Sequence, residues 1–159
     1  MSYAKPSDVA TRIGPAILLQ LSAESGALVR DDAVIQSWLD AASETINGWI
    51  GTRYITPVVK ATAPAERYSQ LANWEADIAA YNAYAYRGTD DSLNPWKARH
   101  DSIVSKNEGI LMRVASGLMN LVGIPEQSGK NLAPTGPRAG FTSERPHFTP
   151  PPLYGGDYR

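Results

Sequence analysis

The stretch DDAVIQSWLDAASETINGWIGTRYITPV, residues 31–58, decides the fold. Its apolar residues Val34, Ile35, Trp38, Leu39, Ala42, Ile46, Trp49 and Ile50 recur at three- and four-residue steps, with Gln36, Asp40, Ser43, Glu44 and Asn47 opposite. At 3.6 residues per turn that spacing lays one apolar stripe along a helix. Asp31 or Asp32 supplies the N-terminal cap, a carboxylate accepting from the unpaired N–H groups of the first turn. Burial of such a stripe, at about 1.5–3 kcal/mol per large side chain, supplies roughly 10 kcal/mol before entropy is counted. This helix, running to about Ile50, is therefore expected at the centre of the molecule.

The end of the same stretch reads as a structural corner built from Gly48, Gly51, Arg53, Tyr54 and Pro57. Gly48 and Gly51 leave room for close packing, and Gly51 can cap the helix. Pro57 forbids its continuation. Tyr54 is expected to pack back, with Arg53 donating to carbonyls or a carboxylate.

Further helices flank this one. Ser7 is positioned to cap a short helix over residues 8–13; Gly14-Pro15 breaks it and starts another, PAILLQ. Residues 21–30 read as a loop. A second long helix spans about 66–87, with Leu71, Trp74, Ile78, Tyr81 and Ala85 in helical register and Gly88 beyond its end. A third begins at Asn94-Pro95 and carries Ile103, Val104, Ile110, Leu111, Val114, Ala115 and Leu118. Gly109 and Gly117 within it permit close contact or local unwinding. No stretch alternates as a sheet requires, although residues 54–59 suit a brief extended run. The expectation is a mainly α fold, a small bundle of three longer and two short helices.

Proline divides the chain. Seven of the twelve prolines lie from Pro125 onward, and hydrophobic periodicity stops near Leu121-Val122. We therefore read a helical body, 1–122, and an extended Pro/Gly-rich C-terminal arm, 123–159. At about 3 Å per residue in a polyproline conformation the arm reaches roughly 100 Å, against a body radius of gyration near ~14 Å. Its Phe141, Phe148, Leu153, Tyr154 and Tyr158 suit docking along a partner surface better than solvation. Tyr84 and Tyr86 join them as candidate interface residues, because Tyr81, Tyr84 and Tyr86 cannot share one helical face.

Composition narrows the function. The chain has 159 residues, 43% apolar and 19% charged, a net charge of −1 and no cysteine. Near-neutrality argues against broad attraction to nucleic acid or anionic lipid. Absence of cysteine removes disulfides, thiol catalysis and cysteine-ligated zinc. No run approaches the ~18–20 apolar residues of a membrane span, and the N-terminus lacks a signal peptide's apolar core, so a cytoplasmic chain is expected.

Residues that carry chemistry are scattered. His100 and His147 match no metal or catalytic spacing, and Asp31-Asp32 and Asp90-Asp91 each precede a helix, where carboxylates act as caps. The run SGKN, residues 128–131, ends like a phosphate-binding loop, but that motif needs glycine where Ile124 stands and serine or threonine in place of Asn131. Residues 7–21 suggest a helix-turn-helix, yet its second piece, 15–20, has no basic residue. We expect no catalysis, no metal and no cofactor.

In order along the chain, these features resemble the Mu-like prophage head–tail adaptor family of tailed bacteriophages. YAKPSDVATRIG is similar to the family's tyrosine, short helix, arginine and glycine. AILLQLS leads through a loop to the Asp-capped helix and its Arg-Tyr-x-x-Pro ending, with Asn47-Gly48 in place of Asp-Gly. WEADIAAYNAYAYR resembles the next helix, and VASGLMNL the small-residue end of the last. The resemblance covers about 1–122 and not the arm. It implies a structural virion protein of the neck, assembled in the host cytoplasm. Such a protein forms a ring with itself, usually dodecameric, beneath the portal protein, joins a downstream stopper or tail-terminator protein, and passes genomic DNA without specific binding. A stopper or tail-completion protein of the same neck is the structural alternative. A small DNA-binding packaging protein is the alternative from another class.

Overall fold

The structure, a computed structural model, describes residues 2–23 and 28–127. In chain order these form α1 (Pro6–Ile13), α2 (Pro15–Ser22), α3 (Asp32–Ile50), α4 (Ala65–Tyr86), α5 (Lys97–Val104) and α6 (Ile110–Ala115), with a 3-10 turn at Asp91–Leu93. No strand occurs among the described residues; Tyr54 and Glu126 form one isolated antiparallel bridge. The fold is mainly α. Two helices are long and four are short, so the third long helix of the sequence reading is divided.

α3 starts where its cap places it. Asp31 accepts from the N–H groups of Ala33 at 2.9 Å and Val34 at 3.2 Å, while Asp32 puts negative charge at the positive end of the helix dipole. Ile35, Trp38, Leu39, Ala42, Ile46 and Ile50 are buried. Ser43, assigned to the polar face, is buried as well. Its hydroxyl donates to the Asp40 carbonyl at 2.9 Å, so it enters the core without an unpaired polar atom.

The enclosed helix is α4 rather than α3. Every residue from Trp74 to Ala80 is buried, and α1, α2, α3 and α5 all pack against this helix. Ala76, Ala79, Ala80 and Ala83 let those neighbours approach closely. Tyr81 is only half-buried and Ala85 is exposed, so the stripe read from Leu71 to Ala85 leaves the core at its far end.

Burying α4 on all sides takes two carboxylates inside. Asp77 lies 2.9 Å from Arg12 of α1 and 2.8 Å from Arg99 of α5. The Arg12 Nε contact lies off the N–H axis and is an ion pair rather than a directed hydrogen bond, while Arg12 Nη2 donates to Asn73 at 2.7 Å. Glu75 receives the N-terminal segment instead: the Ser2 hydroxyl at 2.5 Å and the N–H groups of Tyr3 at 2.5 Å and Ala4 at 2.8 Å.

Three boundaries differ from the sequence reading. Ser7 lies inside α1, not at its cap: Pro6 takes the first helical position and Lys5 caps, its N–H held by the Asp8 carboxylate at 2.8 Å. The helix expected from Asn94 breaks at residues 105–109, where Ser-Lys-Asn-Glu offers nothing apolar to bury. Gly109 makes the return possible, since a Cβ there would stand 2.5 Å from the Ser105 carbonyl oxygen. The body also does not end at residue 122. Ile124 is buried, the Ile55 N–H donates to the Pro125 carbonyl at 2.9 Å, and the Gln127 N–H donates to the Arg53 carbonyl at 2.8 Å.

Candidate functional site

The corner after α3 is held by backbone first. The Gly51 N–H donates to the Asn47 carbonyl at 2.8 Å and that of Tyr54 to Ile50 at 2.9 Å. Gly51 closes the helix in a right-handed conformation, φ −62°, rather than as a left-handed cap. Its glycine is required by space: a Cβ would lie 2.6 Å from the Asn47 oxygen and 3.1 Å from Thr56 Oγ1. Gly48 has no such neighbour. Nothing lies within 4 Å of its missing Cβ, so it makes no close packing within the chain. Pro57 follows a cis peptide, and beyond it Val58 turns inward.

Arg53 and Tyr54 tie the corner to the end of the body. Tyr54 is buried and its hydroxyl accepts from the Leu121 N–H at 2.9 Å. The Arg53 side chain is 12% exposed and pairs with Glu126 at 3.0 Å. It also donates to the Val114 carbonyl at 3.3 Å and to Asn120 Oδ1 at 3.1 Å. Gln127 closes the loop, its side-chain amide donating to the Gly51 carbonyl at 2.9 Å. One guanidinium thus fastens the end of α3, the end of α6 and residues 120–126 together.

The aromatic candidates lie elsewhere. Tyr86, 61% exposed, ends α4 and meets the edge of Trp38 at 5.7 Å; Tyr84, two residues earlier, is half-buried. Arg87 anchors this end by donating to the Leu21 carbonyl at 2.8 Å and to that of Ala23. α3 and α4 run antiparallel, so the corner and the aromatic end occupy opposite ends of the hairpin, roughly 28 Å apart for a 19-residue helix. Phe141, Phe148, Leu153, Tyr154 and Tyr158 lie outside the described residues, as do His147 and the SGKN run.

The remaining polar candidates have local partners. His100 stacks on Tyr81 at 4.0 Å, and its Nδ1 lies 3.2 Å from Asp101. The Tyr81 hydroxyl donates to Asp91 at 2.7 Å, a bond that raises its pKa. Asp90 caps the 3-10 turn through the Ser92 N–H at 2.9 Å, which holds its carboxyl below the usual range. Sequence reasoning missed Glu75 and Asp77. Glu75 stands in the same register as Leu71 and Ile78, and that position was the available clue. Among the described residues, no helix is long and apolar enough to cross a membrane.

The described residues form a mainly α body whose guanidinium-pinned corner lies beside exposed Ile55, Leu118 and Val122. The chain belongs to the family described as bacteriophage Mu, Gp36, whose model matches residues 3–138, and it is a Mu-like phage protein. That match passes residue 122 and runs beyond Gln127. Comparison with curated proteins finds no match.

Proposed function

We propose that this protein is a structural head–tail adaptor of a tailed phage. It forms a closed ring with copies of itself beneath the portal, offers the next neck or tail component its docking surface, and lines the passage for genomic DNA. The observation that carries the reading is membership of a bacteriophage Mu protein family along residues 3–138. The surface supports it. A head-to-tail ring needs two different complementary faces on each copy. The hairpin offers apolar residues at both ends: Ile55, Leu118 and Val122 at the corner, and Tyr86 with Leu28 and Val29 at the other. The arm, with Phe141, Phe148, Leu153, Tyr154 and Tyr158, adds contacts to a neighbouring subunit, the portal or the next component. No catalytic step and no cofactor enter this role, and the protein resides in the virion neck after assembly in the host cytoplasm.

Electron microscopy of lysates from a phage lacking this gene alone tests the proposal. Filled or leaking heads beside separate, complete tails are expected. Normally joined, infectious particles would remove the protein from the neck.

A further inference from the structure

Two buried carboxylates stand two residues apart on α4 and are treated in opposite ways. Asp77 has two guanidiniums, whereas Glu75 takes part in none of the ion pairs among the described residues. Glu75 is wholly buried, and an ionised carboxylate there would forgo several kcal/mol of hydration, roughly, without a counter-charge. Its contacts count the protons. The Ser2 hydroxyl oxygen lies 2.5 Å from Glu75 Oε1 and 3.0 Å from the Ala4 carbonyl oxygen. A hydroxyl has one hydrogen and cannot donate a full-strength, near-linear bond to both. Both contacts become hydrogen bonds when Glu75 Oε1 carries a proton and donates to Ser2 Oγ, which donates in turn to Ala4. Glu75 Oε2 still accepts from the N–H groups of Tyr3 and Ala4.

We propose that Glu75 is held as a neutral carboxylic acid and serves as a proton-dependent latch for the N-terminal segment Ser2–Ala4. The latched segment carries Tyr3 into a slot between α3, α4 and the loop after the corner. There its hydroxyl meets Asn47 Oδ1 and accepts from the Val58 N–H at 3.1 Å, and its ring meets the edge of Tyr68 at 5.6 Å.

Among the described residues, the surrounding charges supply no counter-ion. Tyr3 and Tyr68 face the carboxyl as neutral groups, and Asp40 of α3 adds a like charge. α1 turns Arg12 to Asp77 and Asp8 to the Lys5 N–H. α2 has no charged residue. α5 directs Arg99 to Asp77 and Lys97 to Asp91 and Asp101. In the loop, Lys60 lies over the Tyr68 ring at 5.9 Å. Burial is the main cause that raises the Glu75 pKa, against the lowering effect of the bonds it accepts from the Tyr3 and Ala4 N–H groups.

The sign follows. A folded-state pKa above the unfolded 4.5 means that the native chain binds this proton more tightly. The resulting stability is fully present below about 4.5 and is lost as pH rises through the folded value. Asp90, Asp91 and Asp101, lowered by hydrogen bonds from Ser92, Lys97 and His100 respectively, act in the other window. Their contribution is present above 3.8 and lost as pH falls below it.

Carbon-13 NMR titration of the Glu75 carboxyl in the full chain, with amide exchange of Tyr3 and Ala4, tests the latch. The carboxyl is expected to titrate above the ordinary range, with protection of both amides falling about tenfold or more across the same transition. Glu75→Gln, whose amide donates to Ser2 and accepts from the backbone as the acid does, is expected to keep that protection at every pH. A carboxyl titrating at or below its ordinary value overturns the proposal. So does amide protection that ignores the transition, or a Glu75→Gln chain that loses the segment at neutral pH.

Discussion

At the residue scale, two glycines three positions apart make opposite demands. Gly51 sits where any Cβ meets the Asn47 carbonyl at 2.6 Å, and backbone cannot yield there as a flexible side chain can. Gly48 lies on the exposed face of α3 with open space around it. Alanine at 48 removes a glycine from a helix interior, which is worth up to about 1 kcal/mol. Alanine at 51 forces the last turn apart and is expected to cost about 1–3 kcal/mol. Urea unfolding separates the pair: Gly48→Ala should raise the midpoint and Gly51→Ala lower it. Equal shifts would mean that the corner relaxes freely. The sequence offered both glycines as room for close packing. What it left out was the partner atom that distinguishes them, which belongs to the folded chain.

At the scale of elements, α3 was legible from its pattern because large apolar residues contrast sharply with its polar face. α4 was not, because alanine gives little contrast and marks a close-packed helix only by what approaches it. Glu75 and Asp77 further disguised an enclosed segment as a half-solvated one. The break between α5 and α6 was legible only as a possibility at Gly109, since the same glycine suits either a kink or a close contact. The Asp77 node makes the arrangement of α1, α4 and α5 testable. Its side chain is 3% exposed, against 29% for Arg12 and 61% for Arg99. Asp77 is shared by both pairs, so its loss breaks both and leaves the part-buried Arg12 guanidinium without that partner. Each arginine substitution leaves Asp77 the other guanidinium, and the exposed Arg99 pair is worth about 0–1 kcal/mol after solvent screening. Asp77→Ala should therefore be the costliest of the three alanine substitutions and Arg99→Ala the mildest. Arg12→Ala should fall between, because it also releases Asn73. Unfolding midpoints in the reverse order would show that α5, rather than α1, holds the node.

At the scale of the whole molecule, the fall in hydrophobic periodicity after Leu121 suggested an end to the body that the packing does not respect. Periodicity reports residues repeating along one element; it is blind to a short irregular segment seated through single contacts. Residues 123–127 are such a segment. A chain ending at 122 loses the buried Ile124, the Pro125 acceptor for Ile55, the Glu126 partner of Arg53, and the Gln127 bonds to Arg53 and Gly51. One large apolar side chain at about 1.5–3 kcal/mol, with four polar links at about 1 kcal/mol each, puts the loss at roughly 6 kcal/mol before the entropy of ordering the segment. That is a large share of the ~5–15 kcal/mol by which domains are stable. A chain truncated after 127 should therefore unfold at clearly higher urea than one truncated after 122. Arg53→Ala should narrow the gap between them, since the guanidinium is what residues 120–126 are fastened to. Two truncations with the same midpoint, or a gap indifferent to Arg53, would show that the corner and the end of the body are adjacent without being coupled.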